Sequence, residues 1–360
     1  MGDGNGVYYI GPLFLTILTA YLFYAAITKK NKEGEMIMQT EKSIQEIFET
    51  FMQSRKDAAP HCVTPVREGM FRDAMLGVVV GDAVGVPFEC GWRDQYTVDD
   101  MVGYEPWMPG YHETIIPIGT WSDDSALTFA TLDSYHACGK WDSADLLKRF
   151  CDWLYDDAYV PAGQTRFGEG KVTVCALENF RAGVPADECG VADETRLGNG
   201  SLMRILPLAF YPHTTADIAR VSAVTHAAKN CVMACVCYVE IAERLIAGAD
   251  KFDAVHAQEW PQSEAFGRMA AIETLPRDEI KSSGHVIETL EASLWCFLTT
   301  DNYRDCILKA VNLGRDTDTI AAIAGGLAGM YYQGEDGIPK AWIKNLQTGY
   351  EKYTALKGRE

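Results

Sequence analysis

The chain has 360 residues, 48% of them hydrophobic, which is enough to bury the core of one large domain or two average ones. Its 50 acidic residues outnumber its 32 basic residues, and the formal net charge of −18 repels phosphate backbones and argues against direct nucleic-acid binding. The 11 cysteines show no CxxC pair and no paired spacing typical of a zinc site. We interpret them as reduced, mostly buried thiols, among them Cys231, Cys235 and Cys237.

The first predicted element is an uncharged apolar run at residues 7–28, VYYIGPLFLTILTAYLFYAAIT. Its length of about 20 residues matches a helix that spans a bilayer. Lysines follow the run directly and only Asp3 precedes it, which predicts a membrane anchor with the rest of the chain facing the cytoplasm. A cleaved signal peptide fits less well, because no basic side chain precedes the run. Two alternatives remain: the run is a buried helix, or translation starts at Met36 or Met38, which would give a cytoplasmic protein without the anchor.

Residues 29–63 are predicted to form a polar tether with one amphipathic helix. The apolar side chains of this helix recur at helical spacing, at Ile44, Ile47, Phe48 and Phe51. The sequence DAAPHCVTP then ends the pattern. The tether is expected to act as a linker or as a lid over the domain that follows.

Residues 64–355 are predicted to form a compact all-α domain, because strand-like alternation is almost absent and helical periodicity dominates. The periodic segments are 65–80, 122–138, 143–155, 172–181, 216–225, 230–247, 286–298, 303–312 and 319–332. Between them lie long loops rich in Gly, Pro, Asp and Trp, notably 85–121 and 156–171. Long ordered loops in a helical domain usually carry a functional site.

Two helix starts carry more carboxylates than capping requires. They are GTWSDDSA at 119–126 and GRDTDT at 314–319, each followed by an apolar helix. Ser, Asp and Thr are good N-cap residues, and the helix dipole favours carboxylates there, so capping explains about one oxygen per helix. Together the two stretches supply four carboxylates and at least two hydroxyls, and unpaired buried charges are costly. The surplus indicates a cation site, with plain capping as the alternative.

All candidate ligands in these two stretches are oxygen atoms, which favours hard divalent ions such as Mg²⁺, Mn²⁺ or Ca²⁺ over zinc or copper. Four carboxylates can hold two ions about 3.5 to 4 Å apart, the spacing that polarises a substrate oxygen and activates water. The helix after DTDT is rich in Ala and Gly between 321 and 329, which predicts close approach of a neighbouring helix and a rigid ligand set.

Five motifs occur in an order that resembles the ADP-ribosylglycohydrolase family. They are GDAVGVPFE (81–89), GTWSDDSA (119–126), GNGSLMRILPLAF (198–210), TH before a helix (225–226) and GRDTDTIAAIAGGLAGMYY (314–332). The resemblance covers about residues 64–350 and implies an all-α domain with a binuclear Mg²⁺ or Mn²⁺ centre. It also implies hydrolysis of the glycosidic bond between ADP-ribose and a protein side chain or small-molecule acceptor, which reverses ADP-ribosylation.

The resemblance assigns roles to individual residues. The implied metal ligands are Ser122, Asp123, Asp124, Asp316, Asp318 and Thr319. The implied catalytic carboxylates, one of which takes a proton from the attacking water, are Glu89, Asp123 and Asp124. The residues implied to bind substrate are Asn199, Gly200, Ser201, Met203 and His226. The segment THAAKN departs from the THGHP form frequent in bacterial members, so a buried core histidine is the alternative reading of His226.

Two weaker patterns lie in the long loops. Gly168 and Gly170 in RFGEGK are predicted to form a loop that faces the phosphates of the substrate. The tryptophan and tyrosine side chains between residues 92 and 121 are candidates to stack on adenine.

Three other functions remain open from the sequence. A two-metal phosphoesterase would cleave the pyrophosphate and release AMP and ribose phosphate rather than ADP-ribose. An immunity-type protein would bind and block an ADP-ribosyltransferase toxin, with the segment before Thr64 as the interacting arm. A catalytically silent reader of ADP-ribose is disfavoured by the intact carboxylates. The acceptor from which ADP-ribose is removed is not determined by these motifs.

Overall fold

The computed structural model describes residues 43–56, 66–105, 108 and 114–356. The chain divides into two compact units, residues 1–50 and 51–360. Residues 43–53 are helical, as the apolar spacing in the tether predicts. The apolar run at residues 7–28 lies outside the described residues, and within them no helix is both long and apolar enough to cross a membrane.

The described part of the second unit is helical and contains no β-strand, only isolated bridges such as that between Val191 and His226. The all-α prediction is therefore confirmed for these residues. The α-helices are α1 (Met70–Gly85), α2 (Asp123–Cys138), α3 (Ser143–Asp156), α4 (Lys171–Arg181), α5 (Thr215–Ala223), α6 (Lys229–Ile246), α7 (Lys251–His256), α8 (Val286–Leu298), α9 (Tyr303–Val311), α10 (Thr317–Tyr331), α11 (Lys340–Asn345) and α12 (Glu351–Thr354).

Helices α1 and α10 form the centre of the domain and pack with their backbones in direct contact. Gly77, Gly81 and Gly85 recur every four residues, so one face of α1 carries no side chains. A Cβ at Gly81 would lie 2.1 Å from the carbonyl oxygen of Ala321, and one at Gly85 would lie 2.4 Å from Cα of Asp318. The close approach predicted from the small residues of α10 is confirmed. It places the first turn of α10 beside the last turn of α1.

The prediction of the first helix at 65–80 is wrong at both ends. Helix α1 begins at Met70, directly after Gly69 with φ 81°, and continues to Gly85. Glycines ordinarily weaken a helix, but here they form the contact face against α10 and are retained within it. Asp82 consequently lies on a helix inside the core instead of in a loop.

Helix α6 is buried along most of its length. Its thiols Cys231, Cys235 and Cys237 are buried, as predicted for core cysteines. Glu240 on the same helix forms a buried ion pair with Arg55, with Nε to Oε1 at 2.7 Å and Nη2 to Oε2 at 3.1 Å. This bidentate pair connects the residues directly after the N-terminal helical segment to the core of the domain.

Candidate active site

The start of α2 is held mainly by a carboxylate from another helix. Ser122 is the N-cap and accepts from the backbone N–H of Asp124 at 3.3 Å. Asp82 of α1 accepts from the backbone N–H groups of Ser122 at 3.0 Å and Ser125 at 3.0 Å, and from the Ser125 hydroxyl at 2.6 Å. Because Asp82 and Ser122 satisfy these donors, capping does not account for Asp123 and Asp124.

The start of α10 likewise uses its carboxylates for something other than a cap. Asp316 occupies the N-cap position, but its side chain makes no capping hydrogen bond. Its Oδ2 accepts from Nδ2 of Asn199 at 2.5 Å. The preceding residue, Arg315, has φ 69°, and two backbone hydrogen bonds pair it with the loop after Glu89: Cys90 N–H to Arg315 O at 2.6 Å and Arg315 N–H to Gly91 O at 2.7 Å.

The two helix starts meet at one point. The hydroxyl of Thr319 lies 3.3 Å from Oδ2 of Asp124 and 3.3 Å from Oδ1 of Asp316, although Asp124 and Thr319 are 195 positions apart in the chain. Two groups of carboxylates have oxygen atoms within 4.8 Å of one another, and Asp318 belongs to both: Asp82, Asp124 and Asp318, and Glu89, Asp316 and Asp318. Convergence of this kind is the geometry that a shared cation requires.

Burial raises the pKa of each aspartate in this cluster. The pKa of Asp82 is raised to about 6, chiefly by burial. The pKa values of Asp123, Asp124 and Asp318 lie well above their usual range, first because of burial and then because neighbouring carboxylates repel the charged form. The pKa of Asp316 is also raised by burial. The cluster therefore favours any ligand that supplies positive charge.

One buried oxygen of the cluster has no hydrogen-bond donor. Oδ1 of Asp124 lacks a partner among the described residues, whereas Oδ2 is contacted by the hydroxyls of Ser122 and Thr319. A buried carboxylate oxygen left in this state costs free energy unless a ligand compensates. Oxygen-only, anionic donors fit a hard divalent cation, so the residues present are compatible with the implied metal centre.

A cavity of about 530 Å³ opens over the carboxylates. One side is formed by Glu89, Asp123, Asp316, Asp318 and Thr319. The other sides come from the loop before α4, from the first turn of α4 and from three places further along the chain. In chain order these residues are Gly168, Glu169, Gly170, Lys171, Val172, Thr173, Gly198, Asn199, Gly200, Met203, His226 and Gly284. The carboxylate cluster and a cavity large enough for a small ligand are thus one site.

Glycine is required where the cavity wall touches the functional side chains. Gly168 has φ 87°, and a Cβ there would lie 2.3 Å from Oδ1 of Asp123. A Cβ at Gly200 would lie 2.8 Å from Cε1 of His226, and one at Gly198 would lie 3.1 Å from its Nε2. These glycines let the backbone approach Asp123 and His226 more closely than any residue with a Cβ would allow.

The family is decided by a match along most of the chain. The family model described as ADP-ribosylglycohydrolase matches residues 64–359. The chain belongs to the ADP-ribosylglycohydrolase family. It is an enzyme that hydrolyses ADP-ribose linkages, and the expected resemblance is confirmed.

Individual members of the family are similar over most of their length. ADP-ribosylarginine hydrolase Tri1 of Serratia proteamaculans is 32% identical over 297 residues, which cover 80% of this chain and 78% of the relative. The ADP-ribosyl-dinitrogen reductase glycohydrolase of Rhodospirillum rubrum is 28% identical, with 78% of this chain and 90% of the relative covered. A solved structure described as an ADP-ribosylglycohydrolase-related protein complex has a TM-score of 0.65 at 28% identity, covering 80% of this chain and 95% of that chain.

The structure brings most of the predicted site residues of this glycohydrolase to the cavity, with three placed differently. Ser122 and Asp124 do not line the cavity themselves. Oδ2 of Asp124 accepts from the hydroxyls of Ser122 and Thr319, and Thr319 belongs to the lining. Ser201 is fully buried, and its hydroxyl accepts from Ser222 at 2.9 Å, away from the cavity lining. Among the aromatic candidates for adenine, Trp121 is buried in the core and does not line the cavity.

Asp82 is the residue that sequence reasoning misses. It lies within the quoted motif GDAVGVPFE, but its role depends on backbone N–H groups 40 and 43 positions later in the chain. A local signal exists: one carboxylate interrupts the apolar segment VVVGDAV, where an unpartnered charge would be costly.

Proposed function

We propose that this glycohydrolase removes ADP-ribose from modified arginine side chains, with two Mg²⁺ or Mn²⁺ ions as cofactors. The convergence of Asp124, Asp316 and Thr319 beneath one cavity carries the proposal of a metal-assisted hydrolase. The arginine linkage is supported by the two Tri1 relatives, which are named ADP-ribosylarginine hydrolases and are 32% and 33% identical to this chain.

The side chains that would hold the ions are those of the two helix starts: Ser122, Asp123, Asp124, Asp316, Asp318 and Thr319. Bound ions would supply positive charge to hold ribose hydroxyls and to lower the pKa of a water molecule. Asp82 has a different part in the proposal. All of its recorded hydrogen bonds go to the start of α2, so it orients Asp123 and Asp124 from behind.

The opposite wall of the cavity suits the diphosphate of ADP-ribose. Helix α4 begins at Lys171 after Gly170, and no side chain caps its first turn. The backbone N–H groups of Lys171, Val172 and Thr173 therefore have no partner within the helix, and all three residues line the cavity. A helix N-terminus of this kind attracts phosphate oxygens. Asn199, Gly200, Met203 and His226 would then lie along the nucleotide.

In the proposed reaction, water attacks the anomeric carbon of the ribose and the bond to the acceptor nitrogen breaks. The bonding electrons leave with the nitrogen, which takes up a proton. Glu89 lies in the lining beside Asp316 and Asp318, within reach of a water molecule in the cavity. Its carboxylate accepts the proton of the attacking water, and Asp123 on the same side helps to orient that water.

The deciding experiment incubates the full chain with a peptide ADP-ribosylated on arginine and with one ADP-ribosylated on serine. Chromatography then measures free ADP-ribose in the presence of Mg²⁺, Mn²⁺ or a chelator. We expect release from the arginine peptide with either ion and none with chelator. Release from the serine peptide alone would refute the arginine assignment, and AMP as the product would establish the phosphoesterase alternative.

Variants separate hydrolysis from binding of a transferase. Asp123→Asn and Asp318→Asn should abolish ADP-ribose release, while Asp336→Asn, the same change at an exposed position, should not. Asp123→Asn and Asp318→Asn should also lose protection against an ADP-ribosyltransferase in a co-expression assay, whereas Asp336→Asn should keep it. Protection that survives both site substitutions would favour an immunity-type protein that blocks its partner directly.

Membrane attachment through residues 7–28 is also part of this proposal. It is supported by the absence of charge in that run and by the lysines that follow it. The enzyme would then face the cytoplasm from the membrane. Fractionation of cells that express the full chain or a chain starting at Met36 tests the point, since only the full chain should sediment with membranes.

A further inference from the structure

Arg204 is a guanidinium buried in the core of the domain without an acidic partner. The side chain is fully buried and forms no ion pair with any described residue. Nη1 donates to the carbonyl oxygen of Val221 at 3.1 Å, Nη2 donates to Oγ1 of Thr225 at 2.7 Å, and the guanidinium lies 4.6 Å from the ring centroid of Phe150. Burial lowers the pKa of Arg204 to about 10, so the group stays protonated at neutral pH. A buried charge this costly to desolvate indicates a specific task.

The second hydrogen bond of Thr225 indicates what this task is. Oγ1 of Thr225 lies 2.8 Å from Nδ1 of His226, so Arg204, Thr225 and His226 form a continuous chain of hydrogen bonds. A guanidinium only donates, so Oγ1 must accept from Arg204. The hydroxyl then has one hydrogen to give. If Nδ1 also donated to Oγ1, this hydrogen would have no acceptor among the described residues. The arrangement that satisfies all three groups has the hydroxyl donating to Nδ1.

Nδ1 as acceptor means that the proton of a neutral imidazole sits on Nε2. Neutrality follows from the surroundings, because burial and the charge of Arg204 lower the pKa of His226 to about 3. His226 lines the cavity although the residue is only 2% exposed, and the ring edge that carries Nε2 packs against the backbone at Gly198 and Gly200, where a side chain would not fit. The structure records a hydrogen bond for Nδ1 but none between Nε2 and a described residue.

We propose that Arg204 and Thr225 are positioning residues that fix His226 as the neutral Nε2–H tautomer, so that Nε2–H donates to a ribose or phosphate oxygen of ADP-ribose. The inference rests on the proposed function for the identity of that ligand. A neutral donor suits this cavity, because a charged imidazolium would repel the cations proposed for its other side. A core histidine with both nitrogens satisfied by the protein would have no such role.

The tautomer is measured without any substrate. The full chain, labelled with ¹⁵N at histidine, is studied by long-range ¹H–¹⁵N correlation spectroscopy, and the His226 signals are assigned by their loss in His226→Gln. We expect a neutral ring with the proton on Nε2 at pH 7. A neutral ring protonated on Nδ1, or a doubly protonated ring, would overturn the proposal.

The hydroxyl of Thr225 is tested by a conservative series. Thr225→Val keeps the shape but removes the hydroxyl, so His226 should populate both tautomers and the Kd for ADP-ribose should rise about tenfold, the equivalent of one hydrogen bond. Thr225→Ser should restore both the tautomer and the affinity. Thr131→Val is the matched control, because Thr131 is also fully buried and its hydroxyl also bonds within the protein. Unchanged tautomer and Kd in a folded Thr225→Val protein would refute the positioning role.

A second pair of variants tests the donor itself and remains informative if Thr225→Val fails to fold. The Nε2 amide of glutamine reaches about as far as Nε2 of histidine, whereas the amide of asparagine corresponds to Nδ1. His226→Gln should therefore bind ADP-ribose about tenfold more tightly than His226→Asn, and equal affinities would count against the proposal. If the wild-type enzyme shows the Nε2–H tautomer but does not release ADP-ribose from arginine, only the proposed function is contradicted.

Discussion

Chelation of divalent ions is expected to make this enzyme lose stability as the pH rises from 5 to 8. In the metal-free protein, burial raises the pKa of Asp82 from 3.8 to about 6. Between these values the folded state holds more protons than the unfolded state, so the free energy of unfolding falls as the pH rises. The pKa values of Asp124 and Asp318 are raised well above the usual range by burial and by neighbouring carboxylates, so the fall continues above pH 6.

The effect is large enough to measure. One pKa unit corresponds to about 1.4 kcal/mol, so Asp82 alone accounts for a loss of about 3 kcal/mol between about pH 4 and pH 7. Divalent ions oppose this loss because they bind the ionised carboxylates, and a ligand at about 100 times its Kd adds about 2.7 kcal/mol. In a domain of about 300 residues, where the entropy of unfolding is about 0.6 kcal/mol/K, that increment raises Tm by about 4 °C. The stabilisation by Mg²⁺ should therefore grow with pH.

The assay is thermal unfolding of the full chain, followed by circular dichroism at pH 5, 6, 7 and 8 with Mg²⁺ or with chelator. Asp124→Asn and Asp318→Asn should abolish the increment from Mg²⁺, while the exposed Asp336→Asn retains it. Each site variant should also be less sensitive to pH than the wild type in chelator, because one repelling charge is gone. An increment that is the same at all pH values, or that survives both site substitutions, would refute the cation site.

Three further substitutions test the packing around the site. Gly168→Ala should lower kcat about 100-fold by displacing the adjacent carboxylate, whereas Gly163→Ala, with a similar φ of 79° and open space around it, should keep activity; equal kinetics would contradict this. Gly81→Ala should lower the free energy of unfolding by about 3 kcal/mol in denaturant titrations, because its Cβ meets a backbone carbonyl; a change below about 1 kcal/mol would show that the helices can separate. Glu240→Ala leaves Arg55 buried without its carboxylate partner and should lower the free energy of unfolding by about 3 kcal/mol in the same titration. An unchanged free energy of unfolding would show that the ion pair is dispensable.

The helices and the two candidate metal-binding motifs are predictable from the sequence because their signals are local. Apolar side chains at helical spacing predict α2, α3, α8 and α9 to within a residue or two. The surplus of carboxylates at 122–124 and 316–318 likewise predicts a cation site, since capping uses few of those oxygens. Each signal lies within about 20 residues of sequence, so no knowledge of the fold is needed to recognise it.

The remaining features depend on contacts between distant segments. Asp82 is identified only once α1 is known to lie beside the start of α2, because its partners are backbone N–H groups that every residue except proline carries. Ser201 follows two cavity residues in the sequence, but its side chain points to Ser222. Arginine is usually a surface residue, so the sequence alone gives no reason to assign Arg204 a role in the site. That role is recognised only when its burial and its hydrogen bond to Thr225 are known.

Direct packing of two helix backbones fixes the positions of carboxylates in the cluster. Asp82 and Asp318 belong to α1 and α10, whose backbones touch, and a Cβ at Gly85 would lie 2.5 Å from the backbone nitrogen of Asp318. This contact leaves the two helices little freedom to slide or separate, so the backbone packing sets the distance between the two carboxylates. A looser interface would let the carboxylates move apart and would have to bring them together again at each binding event. The glycines of α1 thus contribute to preorganisation of the site as well as to stability of the fold.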